Sequence, residues 1–158
     1  MMDQLQAFTE SLPQVLAWFG VLAAGAVPFV ESYLGSVIGV VAGVHPAVAI
    51  PVAVAGNVLS MLVLVNGAGA ARGRLTDDEP APPSRRRQKL RRLFDRYGVP
   101  GVSLLGQSVL PSQVTSATMV SFGADKAAVI RWQIVSITLW GVGFGLFATA
   151  GMTVAGPS

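Results

Sequence analysis

The chain has 158 residues, of which 52% are hydrophobic and only 12% charged; a soluble domain averages about 25% charged, so the composition points to a membrane protein. It holds no cysteine and one histidine, which excludes disulfide and thiolate chemistry and argues against a histidine-based metal centre. The net charge is +3, and nine of the eleven basic residues fall between Arg72 and Arg96; short basic loops stay cytoplasmic, and no nucleic-acid partner is expected because membrane segments flank this run.

Residues 2–14 look amphipathic, with Leu5, Phe8 and Leu12 at helical spacing. An apolar run follows Pro13, so an N-terminal helix is expected over 1–26. Next comes Ala26–Gly43, reading AVPFVESYLGSVIGVVAG. Its single acid, Glu31, is separated from Glu10 and from Arg72 by sequence whose only charged or titrating neighbours are His45 and Tyr33. A carboxylate in such surroundings is costly and usually faces a cavity, a partner or a substrate. As a straight span, Val27–Val44 would reach about 27 Å, barely the hydrocarbon thickness of about 30 Å. Pro28 and the glycines at 35, 39 and 43 favour a re-entrant hairpin over 26–45, breaking near Gly35–Ser36.

Residues 47–66 form the clearest membrane span, with Asn57 near mid-depth, where an amide must find a partner in a neighbouring helix or a ligand. The segment NGAGAARG (66–73) has glycines at the wrong spacing for a dinucleotide loop and follows a helix, not a strand. Thr76–Pro83 is a polar, proline-rich linker. Ser84–Tyr97 is a basic amphipathic helix capped by Ser84, with Leu90, Leu93, Phe94 and Tyr97 on one face; such a helix is expected to lie along an anionic inner leaflet.

Residues 98–123 carry no charge, yet hold Gln107, Ser108, Ser112, Gln113, Thr115, Ser116, Thr118 and Ser121. That is too polar for a lipid-facing span and too apolar for an exposed loop. A second re-entrant hairpin turning at Pro111 fits both facts, and the start of its second arm would favour an anion. The last span is expected over 127–152, with Arg131 one to two turns inside; Arg131 either snorkels to the interface or pairs with Glu31 or a substrate. Gly141, Gly143 and Gly145 allow close helix approach and suggest a homodimer.

The two halves share a pattern of punctuated segment then unbroken span: 26–71 (hairpin 26–45, span 47–66) and 98–152 (hairpin 98–123, span 127–152), joined by the basic linker 72–97. With that linker inside the cell, the halves have opposite topology, and an inverted repeat results. The expected fold is one all-α integral membrane domain over 1–158: an inverted repeat of re-entrant helical hairpin plus transmembrane helix, with an N-terminal helix and a basic cytoplasmic amphipathic helix.

Glu31 with its following glycines, Gly56-Asn57, the basic linker, Tyr97-Gly98-x-x-Gly101, and Leu110-Pro111 before a small polar run together resemble the small multidrug export proteins. More remotely the layout is similar to the DedA/VTT superfamily, whose members carry two facing re-entrant loops. The resemblance covers about residues 26–150 and rests on the order of its motifs. It implies that Glu31 stands for the family's first-loop acid and Pro111 for its second-loop proline. Family members often place Arg two residues after the acid; here Tyr33 stands there. The arginine-rich second-loop motif of DedA relatives is matched by the uncharged Ser112, Gln113 and Thr115.

The expected function is a small multi-pass transporter of a bacterial-type inner membrane, exporting cationic or amphiphilic molecules against protons. Its candidate binding residues are Glu31, Asn57, Gln107, Pro111, Ser112, Gln113, Thr115 and Arg131. Two alternatives stand beside it: a lipid transporter or scramblase that guides anionic headgroups along the hairpin tips, and a non-transporting scaffold acting through the basic helix. The expected partners are the lipid bilayer, a small amphiphilic substrate or lipid, and a second copy of the chain. No nucleophile–base pair, metal cluster or nucleotide loop is present, so neither enzymatic activity nor a cofactor is expected.

Overall fold

The computed structural model describes residues 2–72, 84–107 and 110–155, and side chains over 14–67, 84–107 and 110–154. The proline-rich linker Thr76–Pro83, Ser108, and the side chains of Leu5, Phe8 and Leu12 lie outside the described residues. Within them the chain is all-helical: α1 Met2–Ala26, α2 Glu31–Val41, α3 Pro46–Arg72, α4 Arg85–Gly106, α5 Ser112–Ser121 and α6 Lys126–Ala155.

Two helices are long and apolar enough to cross a membrane, over Pro46–Gly67 in α3 and Lys126–Val154 in α6. Only 33% and 28% of their most apolar windows are buried in the chain. Core helices of a water-soluble protein would be mostly covered; these instead expose Leu59, Val63, Leu139, Leu146 and Phe147. α2 has 11 residues, so it is about 16 Å long and too short to cross.

The break expected at Gly35–Ser36 is not there: α2 runs unbroken through both residues. Neither a straight span nor a hairpin fills 26–45. The chain reverses earlier, at Val27–Val30, because Pro28 disfavours helix in the residue before it and Phe29 and Glu31 take φ of 72° and 55°. The glycines expected to break the segment pack it. Gly35 sits against Gly25 and Ala53, and Gly39 against Val21 and Ala49.

α2 and α5 end alike. Gly43 and Gly123 have φ of 85° and 96°, and the amides beyond them turn back: Val44 N donates to Gly39 O, and Ala124 N to Met119 O. This is the Schellman closure. A capping side chain then opens the long helix in each case. His45 Nδ1 accepts from Ala47 N at 3.2 Å, and Asp125 Oδ1 accepts from Ala128 N at 2.7 Å. Short helix, glycine stop, cap and long apolar helix therefore occur twice in the sequence.

The chain divides into two compact units: residues 1–57 with 138–158, and residues 58–137. In the first, α1 and α3 approach so closely that a methyl at Gly25 would meet the Ala53 carbonyl, and one at Gly56 the Leu22 carbonyl. Gly141 packs on Ser32 and Val54, and Gly145 on Ser36 and Ile50. Those two notches, read from the sequence as dimer contacts, are thus occupied within the chain.

In the second unit α4 bends at Gly98, whose φ of 62° and ψ of −165° lie in a region essentially restricted to glycine. Gly101 one turn later faces Tyr97 Cβ without room for a methyl, which accounts for the Tyr-Gly-x-x-Gly spacing. Ser84 caps the first arm as expected, accepting from Arg87 N at 3.3 Å. Its apolar face differs from expectation. Leu90 is fully buried in a core with Val102, Met119 and Val129, and Leu93 and Phe94 pack on that core. The chain itself covers the face that was expected to enter the leaflet; of the four residues only Tyr97 is exposed. Arg87 and Arg91 lie over the Phe122 ring at 5.6 and 4.9 Å, and Arg87 Nη2 donates to Ser121 Oγ at 3.1 Å.

Candidate functional site

In the first unit the helical period of α2 puts Glu31, Ser32, Gly35, Ser36, Gly39 and Val40 on its buried face. Glu31 is 1% exposed, and Ser32, Ser36 and Asn57 are fully buried. This unit contains no lysine or arginine. Glu31 is also the first residue of α2, where the helix dipole favours negative charge.

The turn that delivers the carboxylate is strained, since two non-glycine residues at positive φ cost about 1–3 kcal/mol each. Tyr33 braces it: its hydroxyl donates to Phe29 O at 3.1 Å. The Tyr33 ring lies 5.4 Å from Phe144 and 6.2 Å from Trp140. Tyr33 thus holds the turn by a hydrogen bond and an aromatic cluster.

In the second unit the expected turn at Pro111 is present. Pro111 immediately precedes α5, and Thr115 N donates to its carbonyl at 2.8 Å. Ser112, Gln113, Thr115 and Ser116 are fully buried. Gln113 Nε2 donates to Ser60 Oγ at 3.2 Å, Thr115 Oγ1 to Leu110 O at 3.2 Å, and Ser116 Oγ to Ser112 O at 2.6 Å.

Gln107 is 8% exposed, and neither atom of its amide has a hydrogen-bond partner. Sequence reasoning passed over Gln133, Ser136 and Ser103, all fully buried. Gln133 and Ser136 lie one turn apart on α6, and Ser136 Oγ donates to Ser103 O at 2.7 Å. The signal that marked Asn57, an amide inside an apolar span, was present at Gln133 as well.

Arg131 is not on this buried face. It is exposed, and its Nε donates to Ala127 O on its own helix at 3.3 Å. Of the predicted site residues, Glu31 and Asn57 belong to the first unit. Gln107, Pro111, Ser112, Gln113 and Thr115 share the interior of the second, and Arg131 lies on its surface.

An open groove of about 370 Å³ in the first unit is bordered by Gln14, Trp18, Gly43 and His45, and no predicted site residue lines it. Among the described residues no cluster of three or more His, Cys, Asp or Glu is placed to hold a metal ion. Comparison with known proteins finds no matching family model, no matching curated protein and no matching solved structure.

Proposed function

We propose that the chain is a small membrane transporter in which Glu31 takes up either a proton or an amphiphilic cation, the exchange of one for the other driving export. The observation that carries this reading is the burial of Glu31 at the head of α2, in a strained turn and in a unit without a lysine or arginine. Taking a carboxylate out of water costs several kcal/mol unless its charge is balanced. A proton and an organic cation supply that balance in mutually exclusive ways.

In this reading α3 and α6 cross the bilayer, and the basic segment 72–97 is cytoplasmic. The apolar part of α1 with α2 is one half-depth insertion, and the second arm of α4 with α5 is the other. The recurrence of short helix, glycine stop and long helix supports an inverted repeat. The resemblance to small multidrug export proteins points the same way. It also motivates the headgroup alternative, but the exposed position of Arg131 leaves that reading no cation among the described buried residues of the second unit.

The test is flux of a lipophilic cation from liposomes across an imposed pH gradient, wild type against Glu31→Gln. Export that follows the gradient in wild type and is lost in a folded Glu31→Gln protein is expected. Gradient-driven export surviving in that variant would overturn the assignment. Export lost instead in Arg131→Ala would favour the headgroup reading.

A further inference from the structure

We propose that the second unit holds a separate site for a small, uncharged molecule that both donates and accepts hydrogen bonds, bound between the second arm of α4 and α6. Three side chains carry it: Ser103, Gln107 and Gln133. All are more than nine-tenths buried. Ser103 Oγ and both amide atoms of Gln107 and Gln133 have no hydrogen-bond partner.

The three residues flank a single interhelix contact. Ser136 Oγ donates to Ser103 O at 2.7 Å and fixes α6 against α4 at that point. Gln133 lies one turn before Ser136, and Gln107 one turn after Ser103. Residues so spaced have Cβ atoms about 5–6 Å apart on the same helix face. All three side chains are therefore within one helical turn of one interhelix contact.

Native interiors rarely leave such groups unmatched, and a cluster of them points to a bound molecule. The chemistry of that molecule follows from the side chains. Two amides and a hydroxyl offer N–H and O–H donors beside carbonyl acceptors, with no fixed charge. Every buried polar residue described in this unit is uncharged, so an ion would meet no countercharge among them, whereas a neutral partner can satisfy both atoms of each amide. Ordered water and a small neutral amide or polyol share this chemistry. The site is independent of Glu31 and does not rest on the transport reading.

The test uses the full chain in detergent, labelled with ¹⁵N-glutamine. The side-chain signals of residues 107 and 133 are assigned from Gln107→Met and Gln133→Met, or by sequential assignment of the wild type if a variant does not fold. Long-lived cross-relaxation from water to both amide groups is expected if water is the occupant. If an organic solute is the occupant, native mass spectrometry shows an added neutral mass that Gln133→Met or Ser103→Ala removes. Absence of both the water signal and the added mass overturns the proposal. A melting temperature raised by Gln133→Met would then mark the amides as an unsatisfied core.

Discussion

At the scale of single residues, the first unit depends on missing atoms. Gly56 passes the Leu22 carbonyl with no space for a methyl, whereas nothing lies within 4 Å of the position a methyl would take at Gly143. Gly56→Ala should therefore destabilise the protein by about 1–3 kcal/mol or more, since a rigid backbone must move. Gly143→Ala should be neutral or stabilising by up to about 1 kcal/mol, from helix propensity. Thermal melting of the two variants in one detergent separates these signs. The Tyr33 hydroxyl is a second local test. Tyr33→Phe removes the bond to Phe29 O but keeps the ring on Phe144, so a loss of about 0.5–1.5 kcal/mol is expected. An unchanged melting temperature would mean that the turn holds its shape without the brace.

At the scale of elements, α4 divides its labour between two faces. Leu90 is fully buried in the core of the second unit, so Leu90→Ala should cost about 2–5 kcal/mol. On the opposite side, Arg85, Lys89, Arg92 and Arg96 follow one another at spacings of four, three and four, and all are exposed. Replacing any of the four with Gln should change stability by no more than about 0.5 kcal/mol. A melt of Leu90→Ala beside Lys89→Gln tests whether the helix is attached through its apolar face. Equal effects would contradict the packing described. Gly98 belongs to the same element. With φ of 62° and ψ of −165°, Gly98→Ala should cost about 1–3 kcal/mol in backbone strain, read in the same melts.

At the scale of the whole molecule, the sequence was most readable where local chemistry decides. Apolar runs, the Ser84 cap and the proline before α5 fixed the helices and the second turn. The first turn was not readable, because it depends on positive φ at Phe29 and Glu31, which no glycine announces. The glycines that suggested a break at residues 35–36 serve helix contact instead, and composition cannot tell these uses apart. Gln133 carries the same visible signal as Asn57, an amide in an apolar span, but only packing shows that it is buried with no partner and lies one turn from the contact to Ser103. Glu31 was conspicuous because a lone charge in an uncharged stretch needs no fold to be noticed.

The claim on which the functional reading depends is that one carboxylate exchanges a proton for a cation. The most direct measurement is proton release into unbuffered detergent solution when a lipophilic cation is added to the purified chain near neutral pH. Up to one proton released per chain is expected from wild type and none from Glu31→Gln. Cation binding without proton release in wild type, or equal release from Glu31→Gln, would contradict that exchange.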